Sequence, residues 1–278
     1  VTRIIYDGRN MQVIGLCRFS YPAIGGYQVE HATVEERRQY LYNPARLEER
    51  FRLFETTTLP CFREQTDEDF ELLVLIGECL PKNSMERLYD LTSDIKQIRI
   101  IKRAPARHRP VVKDVLHSAR TNPDQPCIQF RHDDDDAVSV DLVERLRFAA
   151  QDAKGLAEYN RTIGLDFNSG FLARFGPDGI RASQVFRSLL GVGLGMYIAG
   201  GCKHTIMSFT HHKIGRFMPV ISYPDAPMWV RTLNAFNDSP HARANKTELS
   251  PLTPEQEGEF IARFGIQQDA VRRVHSAA

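Results

Sequence analysis

"CIQFRHDDDDAVSVD", Cys127–Asp141, sets four consecutive aspartates directly behind a short apolar run. Adjacent carboxylates repel one another, so such a step needs either open solvent or a cation beside it. A solvated turn that caps the next helix through Asp136 or Ser139 meets the first condition. A cation site at the end of a strand meets the second. The choice turns on whether Cys127–Phe130 is a buried strand, and so on its surroundings.

Upstream, the chain alternates between two periods. "MQVIGLCRFSY" (Met11–Tyr21) is apolar, partly β-branched and ends in Ser-Tyr-Pro, which reads as a buried strand followed by a loop. Asn43 is a good N-cap with Pro44 at the first helical position, and Leu47, Phe51, Phe54 and Phe62 recur at helical spacing. Pro60 should kink or divide that helix. Phe70–Ile76 reads as a second strand, "NSMERLYDLTS" as a helix, "IKQIRIIKR" as a third strand and "RPVVKDVLHSART" as a helix. "PCIQF" is then the fourth strand, and a helix capped by Ser139 or Asp141 follows the aspartates. Strands alternating with helices over about 150 residues indicate βαβ units and a mostly parallel sheet.

The second half is less regular. "RTIGLDFNSGFLARFGPDG" reads as a hairpin turning at Asn168-Ser169-Gly170, "HTIMSF" as a strand, and "PMWVRTLNAF" as helix or strand. "TPEQEGEFIARFG" is a helix with Thr253 as cap, Pro254 at its first position and Gly265 at its end. No repeat or interdomain linker is evident.

A net charge of +1 over 278 residues gives no global field for nucleic acid or anionic membrane. Five scattered cysteines without a C-x-x-C pair argue against a zinc knuckle or disulfide framework, and for a reducing compartment. "LLGVGLGMYIAGGC" is too short and Gly-rich for a membrane span, and the first residues lack an apolar signal-peptide core. The expected location is cytoplasmic, with peripheral contact at the inner membrane left open.

In open parallel sheets ligands bind beyond the carboxyl ends of the strands, which is where Asp133–Asp136 fall. Hard oxygen donors clustered there suit Mg2+, Mn2+ or Ca2+. An EF-hand is excluded, because Val138 takes the position of the required glycine.

A strand ending in D-x-D behind three βα units resembles the nucleotide-sugar-dependent glycosyltransferases of the GT-A fold. "LPCFREQTDEDFELLVLIGE" is similar to the early helix-to-strand segment of inverting transferases, where "QT" before "FE" recurs. More narrowly, "RLEERFRLFETTTLPCFREQTDEDFELLVLIG" with "FRHDDDDAV" resembles a bacterial rhamnosyltransferase family, over roughly residues 10 to 240. The resemblance implies an α/β fold of GT-A (Rossmann-like) type: a central, mostly parallel sheet flanked by helices, with an elaborated acceptor-side C-terminal half. One domain, 1–278, would divide into a nucleotide- and metal-binding half (10–150), an acceptor-side half (151–250) and a helical tail (251–278).

It also implies metal-dependent transfer of a sugar, rhamnose by the family label, from a nucleoside-diphosphate donor to a glycan or other hydroxyl acceptor, with inversion. Lipid-linked glycans are among the acceptors left open. Asp133 and Asp135 would be the D-x-D pair holding Mn2+ or Mg2+, with Asp133 also near the donor ribose. Asp134 and Asp136 stay open between ligand, outer support and helix cap. His211 or His212 would add a further ligand, with Lys213 and Arg216 near phosphate or simply solvated. Arg18, Glu78, Arg109 and Lys113 are candidates for the nucleotide sugar, and Arg103 and Arg107 share the loop before Arg109. Ile76-Gly77-Glu78-Cys79 departs from the Asp-Asp-Gly-Ser of related transferases, which leaves the bound base open.

Asp238 is the candidate catalytic base, with Asp166 and Asp178 as alternatives. Trp229 either stacks on a sugar or packs in the core, core being favoured. A pyrophosphorylase would need a Gly-rich phosphate loop that "LCRFSYPAIGGY" lacks, and no G-x-x-x-x-G-K-[ST] is present for a P-loop kinase. A calcium-binding module and an inactive transferase-like protein remain as rivals.

Overall fold

The computed structural model describes residues 11–25, 31–236 and 247–276. Its centre is a sheet in which β1 (Gln12–Arg18), β2 (Glu71–Gly77), β3 (Ile98–Arg103) and β4 (Cys127–Asp133) run parallel in the order β3-β2-β1-β4. The strand period of two makes each strand serve two cores. Val13 and Cys17 of β1, with Leu72, Val74 and Ile76 of β2, face one apolar cluster. Ile14 and Leu16, with Leu73 and Leu75, face the other. Burying each such side chain stabilises the fold by roughly 1.5–3 kcal/mol, which is why these strands read as continuous apolar runs. Gly15 is required by packing: a Cβ there would lie 2.3 Å from the ring of Phe130.

Helices cover both faces. α1 (Val34–Leu41) and α2 (Pro44–Leu53) precede β2, with the Asn43 side chain accepting from the backbone of Ala45 and Arg46. α2 runs into a π-helical turn, Phe54–Thr58, and then α3 (Leu59–Arg63). The wider turn accommodates Pro60, which has no N–H to donate, so the helix is re-wound rather than broken. α4 (Lys82–Thr92) and α5 (His108–Ser118) link β2 to β3 and β3 to β4.

At the aspartates the chain changes sheet. Asp136 N donates to Asp133 O, and β5 (Ala137–Val138) belongs to a second sheet with the order β12-β8-β7-β11-β5. α6 (Leu142–Asp152) and α7 (Lys154–Ala157) then lead back to β6 (Thr162–Phe167) in the large sheet. The expected hairpin at Asn168-Ser169-Gly170 is instead a second sheet change into β7 (Ser169–Gly176). The hairpin lies one strand later, between β7 and β8 (Gly179–Phe186). Gly170 lets β7 approach β11 (Trp229–Thr232); a Cβ there would meet the Trp229 ring at 2.2 Å.

"HTIMSF" is not a strand; Ile206–Ser208 forms a 3-10 turn capped by Thr205. The strand is β9 (Gly195–Ile198), inside the Gly-rich stretch, antiparallel between β4 and β6. With β10 (Val220–Tyr223) beside β6, the large sheet has seven strands among the described residues, all parallel except β9. The expectation of a mostly parallel sheet flanked by helices therefore holds. β12 (Ser250–Pro251) edges the second sheet, and α8 (Pro254–Phe264) has the expected Thr253 cap and left-handed Gly265. α9 (Gln268–Ser276) closes the described chain.

Candidate active site

A cavity of about 360 Å3 opens at the carboxyl ends of β1 and β4. Its walls carry all four aspartates together with Arg18, Arg46, Arg50, Arg109, Arg131 and Arg231. Parallel strands deliver this arrangement, since Arg18 and Asp133 are register partners at the ends of adjacent strands.

The aspartates divide by environment. Asp133 keeps a side chain 39% exposed, and Arg18 Nη2 donates to its Oδ1 at 3.0 Å. Burial works to raise its pKa, but the Arg18 and Arg131 guanidiniums hold the carboxyl well below the usual range. Asp134 accepts from Ser20 N at 3.3 Å and from Arg50 Nη1 at 3.0 Å. Arg50 Nη1 also lies 2.6 Å from Asp135 Oδ2, which accepts from Asn234 Nδ2 at 2.8 Å. Asp136 turns away from the cation cluster: its Oδ1 accepts from Thr232 N at 2.9 Å, and its carbonyl from Thr58 Oγ1 at 2.8 Å. Burial raises the Asp134 and Asp136 carboxyls, Arg50 opposing this at Asp134 while Asp135 adds to it at both.

Histidines complete the wall. Arg18 Nη1 meets His108 Nε2 at 3.1 Å; guanidinium can only donate, so that ring nitrogen accepts. Burial and the neighbouring arginines push His108 down to about 3. His211 Nδ1 donates to Leu189 O at 2.6 Å, which leaves Nε2 as the lone-pair nitrogen of a ring held neutral, at about 4, chiefly by burial. Ser20 and Leu189 both adopt positive φ, 48° and 57°, without being glycine. Such backbone strain persists only where surrounding contacts enforce it, and here both residues hold site groups.

The cavity thus brings together Arg18, Arg109, Asp133, Asp134, Asp135, Asp136, His211 and His212. Glu78 is exposed on the turn after β2 and Lys113 is exposed on α5; neither is among the lining residues. Asp238 lies outside the described residues. Of its alternatives, Asp166 is buried and accepts from Ser222 Oγ and Leu189 N, a fully structural pairing. Asp178 sits in the β7–β8 turn. Trp229 is core, 1% exposed, with Nε1 donating to Phe167 O. Sequence reasoning missed Arg46, Arg50, Arg131 and His108. Arg46 and Arg50 repeat at i and i+4 on the buried face of α2, a signal for arginines aimed inward.

The donor set of the cavity suits Mn2+ or Mg2+ only in part. Asp133 offers hard oxygen facing the cavity and His211 offers Nε2, so the chemistry fits a divalent cation. Asp135 Oδ2 is already shared between Arg50 and Asn234. Among the described residues, no group of three or more His, Cys, Asp or Glu side chains converges as a metal-holding cluster. Guanidinium groups supply much of the positive charge that the sequence argument assigned to a metal.

Arginines and aspartates together line a cavity beyond the carboxyl ends of parallel strands, where open α/β sheets bind their ligands. The family model described as "Putative rhamnosyl transferase" matches residues 12–246, and the chain belongs to that family of glycosyltransferases. No curated protein sequence matches the chain. Among solved structures it is similar to S. aureus TarS 1-349, with 9% identity and a TM-score of 0.41, covering 80% of this chain and 60% of that one. The same protein in complex with UDP-GlcNAc gives 10% identity and a TM-score of 0.39, over 90% and 64%. The chain thus spans about 60% of the length of the TarS structure it matches. Among the described residues no helix is long and apolar enough to cross a membrane.

Proposed function

We propose that the chain transfers a sugar from a nucleoside-diphosphate donor to a hydroxyl of a glycan acceptor, with inversion and with help from Mn2+ or Mg2+. The family description supports rhamnose as the sugar. The observation that carries the reading is the convergence of Arg18, Arg109, Arg131 and the aspartates on one cavity at the strand ends. A diphosphate is doubly charged and needs several cationic donors in fixed positions, which Arg18 and Arg131 supply beside Asp133. Asp133, Asp135 and His211 are the candidate groups for the cation; among the described residues they do not converge on one point, so binding would draw Asp135 from Arg50 and Asn234, and the bound cation would stabilise charge on the leaving diphosphate. Arg109, exposed in the first turn of α5, lines the same cavity and would add a further donor for the phosphates. His211 and His108 stay neutral at pH 7, so neither adds a fixed positive charge that would repel the metal. Asp238 remains the candidate base for the acceptor hydroxyl.

Calorimetric titration with UDP, TDP and GDP, each with Mn2+ and with EDTA, tests the reading, repeated on Asp135→Ala. One diphosphate should bind with metal and lose affinity in EDTA and in the variant. Binding of Ca2+ alone, with no diphosphate binding, would replace the transferase with a metal module.

A further inference from the structure

A second cavity, about 390 Å3, lies behind the aspartate turn. We propose that it is a subsite for a sugar of the acceptor glycan remote from the reacting hydroxyl, with Glu49 as the carboxylate that receives that sugar's hydroxyls. The inference rests on the transferase reading above.

Position is the first argument. α2 contributes Glu49 and Leu53 to this cavity, β7 contributes Arg174 and Phe175, and the segment from β11 contributes Thr232–Ala235. That last segment also backs the aspartates: Thr232 N donates to Asp136, and Asn234 Nδ2 to Asp135. One layer of side chains therefore separates the two cavities. Arg50, the neighbour of Glu49 on α2, lines the first cavity while Glu49 lines the second.

Chemistry is the second. A pyranose presents an apolar C–H face and a rim of hydroxyls, and it carries no charge. The cavity supplies an apolar floor from Leu53, Phe175 and Leu233, with the polar groups of Glu49, Asn234 and Arg174 around it. Its volume lies within the roughly 300–1,000 Å3 usual for small-molecule sites. Glu49 is half-buried, and among the described residues no hydrogen bond or ion pair holds its side chain, whereas the adjacent Glu48 is paired with Arg52 and Arg87. A half-buried carboxylate without a donor gains most from a ligand that brings hydroxyls. Burial also raises its pKa, against the opposing pull of Arg52 and Arg50. A diphosphate, by contrast, would meet Glu49 as a like charge, so the two cavities suit different parts of the reaction.

The test is saturation-transfer NMR with L-rhamnose, glucose, galactose and N-acetylglucosamine, alongside the calorimetric titration with UDP, TDP and GDP. It is run on the wild type, Glu49→Gln and Ala235→Trp, the last of which fills the cavity from its exposed edge. At least one sugar should receive saturation from the wild type, with the apparent affinity about tenfold weaker in Glu49→Gln and no transfer in Ala235→Trp. Nucleotide binding should be unchanged in both variants. The proposal is overturned if no sugar binds the wild type, if Ala235→Trp binds sugar as well as the wild type, or if nucleotide and sugar binding fall together. Glu49-dependent sugar binding without any nucleotide binding would uphold the subsite and remove the transferase reading.

Discussion

Asp133 and the three aspartates after it are the same residue type on one turn, yet the fold treats them oppositely. Asp133 leaves 39% of its side chain open to the cavity and touches one arginine from a neighbouring strand. Asp134 and Asp135 retain 8% and 5%, and both are bridged by Arg50 from α2. Asp136 is tied to the backbone of β11. A run of identical charges thus splits into a cavity-facing member and an inner group that joins two sheets to a helix, Asp135 of the inner group also being a proposed cation ligand.

Removing Arg50 breaks that contrast most directly. Arg50→Ala leaves two buried carboxylates without their cation and should destabilise the chain by about 3–5 kcal/mol, read as a lower urea midpoint. Arg50→Lys should recover only part of this, because Nη1 meets both carboxylates while Nη2 donates to Phe236 O, and an ammonium has no second nitrogen for that bond. A loss under about 1 kcal/mol would put Arg50 on a par with an exposed pair and dissolve the distinction.

Acidity sharpens it by sign. His108 and His211, on the cavity side, have folded values pushed down to about 3 and about 4. The stability of a buried neutral histidine is present above the unfolded value, about 6.5, and is lost as pH falls toward the folded value. Asp134 and Asp136 are shifted upward, so their ionisation in the fold is penalised as pH rises. In urea titrations from pH 7 to 4, His108→Gln should flatten the acid loss, by up to about 1.4 kcal/mol per pH unit. Asp136→Asn should gain stability relative to the wild type as pH rises. Parallel pH curves for either variant and the wild type would remove its assignment.

The large sheet was legible because its first four strands are buried on both faces and so read as apolar runs. The sheet changes at Asp136 and Asn168 were not, since a chain that leaves one sheet for another uses the same turn residues as a hairpin. β9 was missed because glycines, which weaken a strand signal, admit close packing there: a Cβ at Gly195 would lie 2.3 Å from Leu146. Within the site, the aspartates announced themselves, while Arg46 and Arg50 hid in a helix whose many charges looked solvated. Burial of a guanidinium is set by a partner far along the chain, 84 residues in the case of Arg50 and Asp134, so the i, i+4 spacing of Arg46 and Arg50 gives the inward face but not the partner.

The outer member of the run should be nearly silent in stability. Asp133→Ala removes a partly exposed pair and should change stability by no more than about 1 kcal/mol, while nucleotide affinity in the metal-containing titration falls at least about tenfold. An equal fall in stability and binding would make Asp133 a structural group like its neighbours.

Smallest of all are the effects expected at Glu78 and Lys113. Both are exposed and stand outside the cavity lining, and among the described residues Glu78 is held through its backbone N–H to Arg103 O. Glu78→Ala and Lys113→Ala should each stay within about 0.5 kcal/mol in stability, with nucleotide titrations indistinguishable from the wild type. Lys113 is the more demanding case, because it lies four residues beyond Arg109 and so on the same side of α5. A weakened titration in Lys113→Ala alone would mean that the phosphates ride along α5 rather than sitting between Arg18 and Arg131. A loss confined to Glu78→Ala, and specific for UDP or TDP over GDP, would extend the donor site past β1 to the end of β2. In either case the cation-lined pocket around Asp133 would be one part of a longer groove, with the inner aspartates still its structural hinge to the second sheet.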